Sequence, residues 1–450
     1  MTSSINPREL VLDILLEVNR DGEYSHIALR RVLDKHQFLP KSDRAFITRV
    51  AEGTIENMIQ IDYIINEVSS IPVNKMKPVI QNILRSGVYQ ISKMDSVPNS
   101  AVCNEAVKLA QKRGFYSLKG FVNGILRTID RKLPQIPFPK KEENENLYLS
   151  IRYSMPLWII EKWNDQFGVE TTEKIIKDLL EDKPTCVRIK QYRTEQEFVL
   201  SSLKNQGVTV KPSPYLPYAF YISHYNYLPA LEAFIQGNIQ PQDVSSMLVA
   251  EVADPKPGDY VIDLCAAPGG KSLHIADKME GFGDVDSRDL TDYKVGLIQE
   301  NVKRADYINV HPSVKDATIF DEMSVGRADI VLADVPCSGL GVIGKKSDVK
   351  YKVTQDKQDE LVILQRKILH NAASYVKQDG VLIYSTCTIG REENENNVEW
   401  FLQNYSFELE SLDPYLPESL HSDTTKKGYL QLLPGIHGSD GFFIARLKRI

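Results

Sequence analysis

Two cysteines are the side chains of this sequence best suited to covalent chemistry. Cys337 lies in Asp-Val-Pro-Cys-Ser-Gly, and Cys387 lies in Tyr-Ser-Thr-Cys-Thr. Each follows a stretch that predicts a β-strand, so both thiols are expected at the same rim of a sheet. A single cysteine is as often a small buried hydrophobe as a reactive group. Two of them at one rim indicate nucleophilic catalysis, because a thiolate is the strongest side-chain nucleophile near neutral pH.

A glycine-rich loop is the second chemical feature. Residues 261–272 read Val-Ile-Asp-Leu-Cys-Ala-Ala-Pro-Gly-Gly-Lys-Ser, a pattern that predicts a strand, a tight turn and a helix. This order brings a ligand close to backbone N–H groups at a helix N-terminus. A P-loop would need glycine where Cys265 stands, and a dinucleotide fingerprint would need a further spaced glycine. On the loop alone, an ordinary strand-to-helix turn remains an equal alternative.

Three aspartates are expected beside that loop. Asp289, Asp316 and Asp334 each end or follow a predicted strand, and Asp289 lies twenty residues after Gly269, where an acid can bind a ribose diol. One acid at such a position is commonly a helix cap or a turn former. Three of them after a glycine loop favour a bound nucleoside cofactor, although the pattern does not say which nucleoside.

A thiolate and a methyl-donating nucleoside are needed together for methylation of a pyrimidine at carbon 5. That carbon is a poor nucleophile until a thiolate adds to carbon 6. A base must then remove the proton from carbon 5, and an acid near the ring nitrogen, for which Asp334 is the candidate, would stabilise the developing charge. The base must also leave any stack, so a flipped or single-stranded target is expected.

The elements that must position these residues form the last part of the chain. From Asp254 onward predicted strands and helices alternate, which indicates a doubly wound, mostly parallel sheet. Residues 1 to about 135 show helical periodicity throughout and predict a bundle. A Pro-rich, charged stretch then predicts an extended linker before a small α+β connector. The predicted domains are residues 1–133, 134–240 and 241–450.

The motifs resemble those of a known family. Asp-Leu-Cys-Ala-Ala-Pro-Gly-Gly-Lys at 263–271, Asp-Val-Pro-Cys-Ser-Gly at 334–339 and Ser-Thr-Cys-Thr at 385–388 are similar to the motifs of RNA cytosine-5 methyltransferases. The resemblance covers residues 135–450. Residues 1–130 resemble a NusB-type helical RNA-binding domain, and the pairing resembles the bacterial RsmB (Sun) family. It implies a Rossmann-like methyltransferase domain that acts on one cytosine of 16S rRNA.

The resemblance also implies roles for individual residues. Cys387 would be the nucleophile, Cys337 would assist product release, and no metal is implied. Asp286 is an alternative to Asp289, because the second predicted strand of the sheet is unusually polar. The implied contacts to S-adenosylmethionine are Cys265, Ala266, Ala267, Pro268, Gly269, Gly270, Lys271, Asp289, Asp316 and Asp334.

Composition limits the class of protein. A chain of 450 residues with five scattered cysteines and no long apolar run predicts a cytoplasmic, multidomain protein without a membrane span or a disulfide framework. The net charge of −6 does not exclude RNA, since binding uses local patches. No obligate protein partner is predicted. A non-catalytic RNA-binding assembly factor and a DNA cytosine methyltransferase remain alternatives.

Four lysines lie near the predicted active rim, in the loop that follows Cys337. They are either RNA contacts or a solvated loop, and the sequence favours neither alternative. The four are Lys345, Lys346, Lys350 and Lys352.

Overall fold

Apolar residues at helical spacing dominate the first part of the chain, and they build a helical unit in the computed structural model. The structure describes residues 5–450, so residues 1–4 of the first predicted domain lie outside the described residues. The helical unit comprises residues 5–180 and Ile343–Lys352. The remaining residues, Glu181–Val342 and Val353–Ile450, form a second unit.

Ten helices from the first part of the chain make up most of the helical unit. Their inward faces carry fully buried aliphatic side chains such as Ile14, Leu15, Ile47 and Leu84. The helices are α1 Pro7–Asn19, α2 Ser25–Lys35, α3 Lys41–Glu56, α4 Met58–Val68, α5 Pro78–Lys93, α6 Asn99–Lys112, α7 Lys119–Lys132, α8 Glu145–Arg152, α9 Leu157–Phe167 and α10 Val169–Asp178.

The helical pattern over Ser42–Glu67 forms two helices, because Asn57 ends α3 and precedes α4. The Asn57 side-chain amide donates to the Gly53 carbonyl, and the Ser154 hydroxyl accepts from the Ile59 N–H at 2.9 Å. These side chains satisfy backbone groups at the break, so the chain can turn without losing hydrogen bonds.

The segment Ile343–Lys352, here called the strap, belongs to the helical unit although it follows Cys337 in sequence. It ends in a short helix, α16 Val349–Lys352. The buried Asp348 carboxylate accepts from the Ser25 N–H at 3.1 Å and hydroxyl at 2.5 Å. Lys350 is 1% exposed, and its ammonium donates to the Glu56 carbonyl at 2.7 Å. Lys350 is therefore neither solvated nor available to RNA, so both sequence-based alternatives are wrong for this lysine.

A small antiparallel sheet opens the second unit. Its four strands are β1 Thr185–Ile189, β2 Thr209–Pro212, β3 Ala219–Ser223 and β4 Ile239–Pro241, with helices α11 Gln196–Asn205 and α12 Glu232–Ile235. The order of the strands in the sheet is β2-β3-β1-β4. This sheet confirms the small α+β connector. The compact units divide the chain after Leu180, and the three predicted domain ranges stay predictions.

The larger sheet has eight strands. They are β5 Tyr260–Asp263, β6 Asp284–Asp289, β7 Val310–Val314, β8 Ala328–Asp334, β9 Val376–Thr386, β10 Phe407–Leu409, β11 Tyr429–Leu432 and β12 Phe442–Arg449. The order is β10-β12-β9-β8-β5-β6-β7, and β11 pairs with β12. Strands β5 to β9 are parallel, while β12 runs antiparallel to β9.

Helices connect the parallel strands as the sequence predicts. The helices of this part are α13 Val244–Ala253, α14 Gly270–Lys278, α15 Asp292–Ala305, α17 Gln355–Tyr375, α18 Glu395–Asn404 and α19 Asp423–Lys427. The α/β fold is confirmed, and the sheet is mixed because β10, β11 and β12 add an antiparallel edge. Among the described residues, no helix combines the length and the apolar character that a membrane crossing requires.

Candidate active site

Three carboxylates mark one edge of the larger sheet. Strands β5, β6 and β8 end at Asp263, Asp289 and Asp334, respectively. Because these strands are parallel neighbours, their last residues lie along the same edge. Ligands of open α/β sheets bind beyond the carboxyl ends of the strands, so this edge is the expected binding region.

The glycine loop turns at this edge. Gly269 has φ +103°, a conformation that side-chain-bearing residues rarely adopt, and a Cβ there would lie 3.3 Å from Cγ2 of Ile298. Helix α14 begins at the next residue, Gly270. The Ala266 N–H donates to the Arg288 carbonyl at 2.8 Å and holds the loop against β6. The turn therefore presents the first backbone N–H groups of α14 at the sheet edge.

Asp289 is the acid of the second strand that contacts this loop. Its carboxylate accepts from the Ala267 N–H at 3.0 Å and from the Lys294 ammonium at 3.0 Å. Asp286, the alternative, instead binds the Arg288 guanidinium at 2.5 Å. The structure thus brings Asp289 to the loop, whereas Asp286 is engaged with a side chain of its own strand.

Asp316 is placed differently from the other predicted acids. It lies two residues beyond the end of β7, and its Oδ1 accepts from the N–H and hydroxyl of Thr318 at 2.8 and 2.7 Å. These bonds form a local turn of the kind that aspartate favours. These bonds engage one of the two carboxylate oxygens. They account for the position of Asp316 by local contacts within its own loop.

Asp263 is the most deeply buried of the acids. It is fully buried, its Oδ2 accepts from the Ser272 hydroxyl at 2.7 Å, and its Oδ1 has no hydrogen-bond partner among the described residues. Burial raises the pKa of Asp263 to about 7. A buried polar atom without a partner is costly, which points to a ligand or solvent atom at this position. Asp263 is not among the cofactor contacts that the sequence predicts.

Asp334 connects the glycine loop to the next strand. Its Oδ2 accepts from the Lys271 ammonium at 2.8 Å, and its Oδ1 accepts from the Ser385 hydroxyl at 2.7 Å. Lys271 also lies over the Phe442 ring, with the ammonium 5.3 Å from the ring centroid. Charged hydrogen bonds of this kind hold the carboxylate in one orientation.

The two predicted reactive cysteines meet at this edge. Asp334 and Ser385 are paired across the parallel strands β8 and β9, and Cys337 and Cys387 follow within three residues. The two sulfur atoms lie 3.2 Å apart, and both residues are half-buried free cysteines. The Gly341 N–H donates to the Cys387 carbonyl at 3.1 Å and ties the two loops together.

The two thiols have different electrostatic surroundings. The hydrogen bond with Cys387, burial and the Glu393 charge raise the pKa of Cys337 well above its ordinary value. Burial opposes the charge of Lys271, but Asp334, Asp263 and Cys387 raise its pKa. A cation therefore acts on Cys387, whereas an anion acts on Cys337.

Cys265 is a third thiol at the loop. Burial and the carboxylates of Asp263, Asp289 and Asp334 raise its pKa above the ordinary thiol value. It is therefore a neutral thiol that lines the loop. Within residues 5–450, no group of three or more metal-ligating side chains has an arrangement that could hold a metal ion.

Comparisons with known proteins identify the class of each part. Residues 250–448 match the family model described as "16S rRNA methyltransferase RsmB/F", so the larger sheet belongs to a methyltransferase domain. Residues 5–131 match the NusB family, and residues 155–226 match the ferredoxin-like domain of RsmF/B-like methyltransferases. The bundle and the connector are thereby confirmed as the helical and the ferredoxin-like parts of a known architecture.

Full-length relatives define the particular family. The chain is 35% identical over 445 residues to the "Probable ribosomal RNA small subunit methyltransferase B" of Bacillus subtilis (strain 168), covering 98% of both chains. The crystal structure of PH0851 has a TM-score of 0.83 at 30% identity and 99% coverage of both chains. NSun6 from Pyrococcus horikoshii with SFG has a TM-score of 0.59 at 25% identity, covering 65% of this chain and 98% of that one. The chain belongs to the ribosomal RNA small subunit methyltransferase B family.

Proposed function

We propose that this protein transfers a methyl group from S-adenosylmethionine to carbon 5 of a cytosine in 16S rRNA. The observation that carries the proposal is the approach of two thiols, 3.2 Å apart, beside a glycine loop with carboxylates at the same sheet edge. The family membership supports small-subunit rRNA as the substrate. The covalent mechanism and the choice of carbon 5 are inferred from the chemistry of the thiol pair.

The residues of the loop fit a nucleoside cofactor. Gly269 holds a positive φ, the first N–H groups of α14 face the edge, and the unpartnered Oδ1 of Asp263 can accept a hydrogen bond. Asp289 would bind the ribose hydroxyls, because it already lies against the loop at Ala267. When bound, S-adenosylmethionine supplies an electrophilic methyl group. Residues 265–271 together with Asp289, Asp316 and Asp334 are the proposed contacts.

Cys387 is the proposed nucleophile. Its thiolate would form a bond from Sγ to carbon 6 of the cytosine, which moves electron density to carbon 5. Carbon 5 would then bond to the methyl carbon while the methyl–sulfur bond breaks, and S-adenosylhomocysteine would leave. The Lys271 cation near Cys387 favours a thiolate at that position. The hydrogen bond with Cys387, burial, the Cys387 charge and then the Glu393 charge disfavour a thiolate at Cys337. This asymmetry supports the assignment that the family resemblance implies.

Cys337 is the proposed base for product release. The Cys337 thiol would first give its proton to solvent, and the resulting thiolate would take the proton from carbon 5 and become a thiol again; a thiolate with a raised pKa is the stronger base. The electrons of the carbon–hydrogen bond then re-form the double bond between carbons 5 and 6. The carbon–sulfur bond breaks, and Cys387 leaves as a thiolate. The net change is a methyl group in place of one proton on the ring.

Asp334 is the proposed stabiliser of the ring charge. Addition of a thiolate to carbon 6 places negative charge on the ring, which a proton or hydrogen bond at the ring nitrogen would neutralise. To supply it, Asp334 would take up a proton from solvent when the base binds, donate it to the ring nitrogen during the attack, and recover it when the double bond re-forms. The Asp334 carboxylate is held by Lys271 and Ser385 at 2.8 and 2.7 Å, so it is already oriented before substrate binds. Preorganised groups of this kind lower the barrier without reorganising during the reaction.

The helical part, residues 1–133, is proposed to bind the rRNA, while residues 134–240 connect it to the catalytic part, residues 241–450. The match of residues 5–131 to the NusB family supports this division. The target cytosine must be unstacked to reach the thiols, so a single-stranded or flipped base is expected. No metal takes part in the proposed reaction.

The test is methylation of unmodified 16S rRNA, transcribed in vitro, with labelled S-adenosylmethionine. We expect the label in 5-methylcytidine after digestion to nucleosides. A label on a ring nitrogen, on an exocyclic amine or on ribose would contradict the proposal. Transfer to the matching DNA but not RNA would indicate a DNA enzyme. Absence of both transfer and cofactor binding by calorimetry would indicate an assembly factor.

A further inference from the structure

Glu393 is a buried carboxylate that lies close to the thiol pair. It is fully buried in the turn between β9 and α18, six residues after Cys387. Its Oε2 accepts from the Ser338 N–H at 2.8 Å and from the Gln365 side-chain amide at 2.9 Å. Its Oε1 accepts from the Gln358 side-chain amide at 2.9 Å. A buried charge is costly, so a carboxylate with three donors needs a structural or functional reason.

These bonds hold the loop of Cys337 on both sides of the cysteine. Ser338 follows Cys337, and Gln365 also donates to the carbonyl of Pro336, which precedes it, at 2.9 Å. Gln365 lies in the long helix α17 and is fully buried. The backbone that carries the Cys337 sulfur is therefore fixed by one carboxylate and one amide.

The residue after Glu393 holds the loop of Cys387. The Asn394 side-chain oxygen accepts from the Thr386 hydroxyl at 2.6 Å, and its amide donates to the Thr388 carbonyl at 3.2 Å. Thr386 and Thr388 flank Cys387 directly. Two consecutive buried residues thus fix the neighbours of two sulfurs that are fifty residues apart in sequence.

We propose that Glu393 is a positioning residue for product release, which sets Cys337 where it can take the proton from carbon 5 of the methylated base. The inference rests on the proposed function. Glu393 does not reach the substrate itself, because it is fully buried and both of its oxygens already accept hydrogen bonds within the protein.

Adduct formation and adduct release should respond differently to the loss of Glu393. Attack by Cys387 depends on the loop that Asn394 holds, so the loss of Glu393 should slow it far less than release, even though the Ser338 and Thr388 hydroxyls link the two loops at 2.8 Å. Release depends on the Cys337 loop, where a displacement of about 1 Å can reduce a rate by about 10²-fold. If Glu393 only stabilised the fold, its loss would lower the rates of adduct formation and adduct release by similar factors. The ratio of adduct formation to adduct release therefore distinguishes positioning from general stability.

The experiment compares the full-length wild type with Glu393→Ala and Glu393→Gln, with Glu399→Ala as the control. Glu399 is an exposed carboxylate of α18. Adduct release is followed with unmodified 16S rRNA on denaturing gels. Adduct formation is followed separately with 5-fluorocytidine rRNA, whose carbon 5 has no proton to lose. Thermal unfolding of each variant is recorded in parallel.

We expect Glu393→Ala to slow adduct release by about 10²-fold while adduct formation stays within about threefold of the wild type. Glu393→Gln keeps one acceptor oxygen and should recover part of the release rate, and Glu399→Ala should match the wild type. If Glu393→Ala releases the adduct at the wild-type rate while Cys337→Ala traps it, the positioning role of Glu393 is wrong and the proposed function still stands. If Cys337→Ala also releases normally, the proposed function fails instead.

A second variant keeps the inference testable if Glu393→Ala does not fold. Gln365→Met preserves side-chain length and leaves the Glu393 carboxylate in place, but it removes the donor to both Glu393 and Pro336. It should show the same selective delay in adduct release. Release at the wild-type rate in this variant would contradict a positioning role for the network around Glu393.

Discussion

The sulfur atoms of Cys337 and Cys387 lie 3.2 Å apart at the ends of two neighbouring parallel strands. The pairing of Asp334 with Ser385 sets this approach, because each cysteine follows its strand within three residues. The surroundings of the pair differ, with Lys271 acting on Cys387 and Glu393 acting on Cys337. The two thiols of this site therefore differ in the charged groups that surround them.

Replacement of Cys337 should trap the RNA on the protein. In Cys337→Ala the attacking thiol remains, but the base that completes the reaction is absent. We expect a covalent RNA–protein complex that is stable on denaturing gels and a loss of turnover of about 10²-fold or more. Cys103→Ala is the control, since Cys103 is buried in the helical core. Rapid, complete release from Cys337→Ala would refute the role of this cysteine.

Removal of the Lys271 cation should make Cys387 less reactive. Lys271→Met leaves the loop backbone in place but removes the positive charge beside Asp334 and Cys387. We expect alkylation of Cys387 by iodoacetamide at pH 7 to slow several-fold, as measured by peptide mass spectrometry. Lys278→Met, which removes an ammonium bound to Glu251 at the other end of α14, should leave the rate unchanged. An equal decrease in both variants would argue against a local effect.

Loss of the Asp334 carboxyl group should slow methyl transfer more than binding. Asp334→Asn keeps the side chain's size, and removal of one preorganised group typically reduces kcat by about 10²- to 10³-fold. Asp329→Asn is the matched control on the same strand, because Asp329 binds the Tyr260 N–H away from the thiols. Steady-state kinetics with 16S rRNA measures both. A change confined to KM would show that Asp334 contributes to substrate binding and not to the chemical step.

Local patterns predicted the parts of the fold that depend on them. Alternation of apolar strands and amphipathic helices predicted β5 to β9 and the helices between them, and loop composition predicted the turn at Gly269. The antiparallel strands β10 and β11 were not predicted. They have three and four residues, which is too short for a period-two signal to stand out.

The sequence did not predict the polar contacts between residues that are distant along the chain. Nothing in the spacing of Glu393 indicates that it accepts from Ser338 and Gln365, since these residues meet only after α17 packs on the sheet. The burial of Lys350 was missed for the same reason. A lysine in a polar loop is normally solvated, and only the packing of the strap into the helical unit reverses this expectation.

The buried Lys350 should make the stability of the helical unit depend on pH. Burial lowers its pKa to about 7, against an ordinary value of 10.5, while Glu56 acts in the opposite direction. Between these values the unfolded chain binds a proton that the folded chain does not. This group therefore makes stability rise with pH across that window and adds no slope below about pH 7.

Lys350→Met tests this dependence. Replacement of a buried charge by an apolar side chain of similar length often stabilises a protein by about 1–4 kcal/mol. We expect the variant to unfold at a higher temperature than the wild type at pH 7, and the difference to shrink towards pH 10. Lys346→Met, at an exposed position of the strap, is the control. A difference that does not vary with pH would contradict the titration of Lys350.

The attachment site of the trapped RNA shows which cysteine attacks the cytosine. The wild-type protein is incubated with S-adenosylmethionine and 5-fluorocytidine 16S rRNA, digested with protease and nuclease, and sequenced by mass spectrometry. We expect a single modified peptide with a methylated fluorocytosine on the sulfur of Cys387. Attachment at Cys337, or the absence of any adduct under conditions in which ordinary rRNA is methylated, would contradict it.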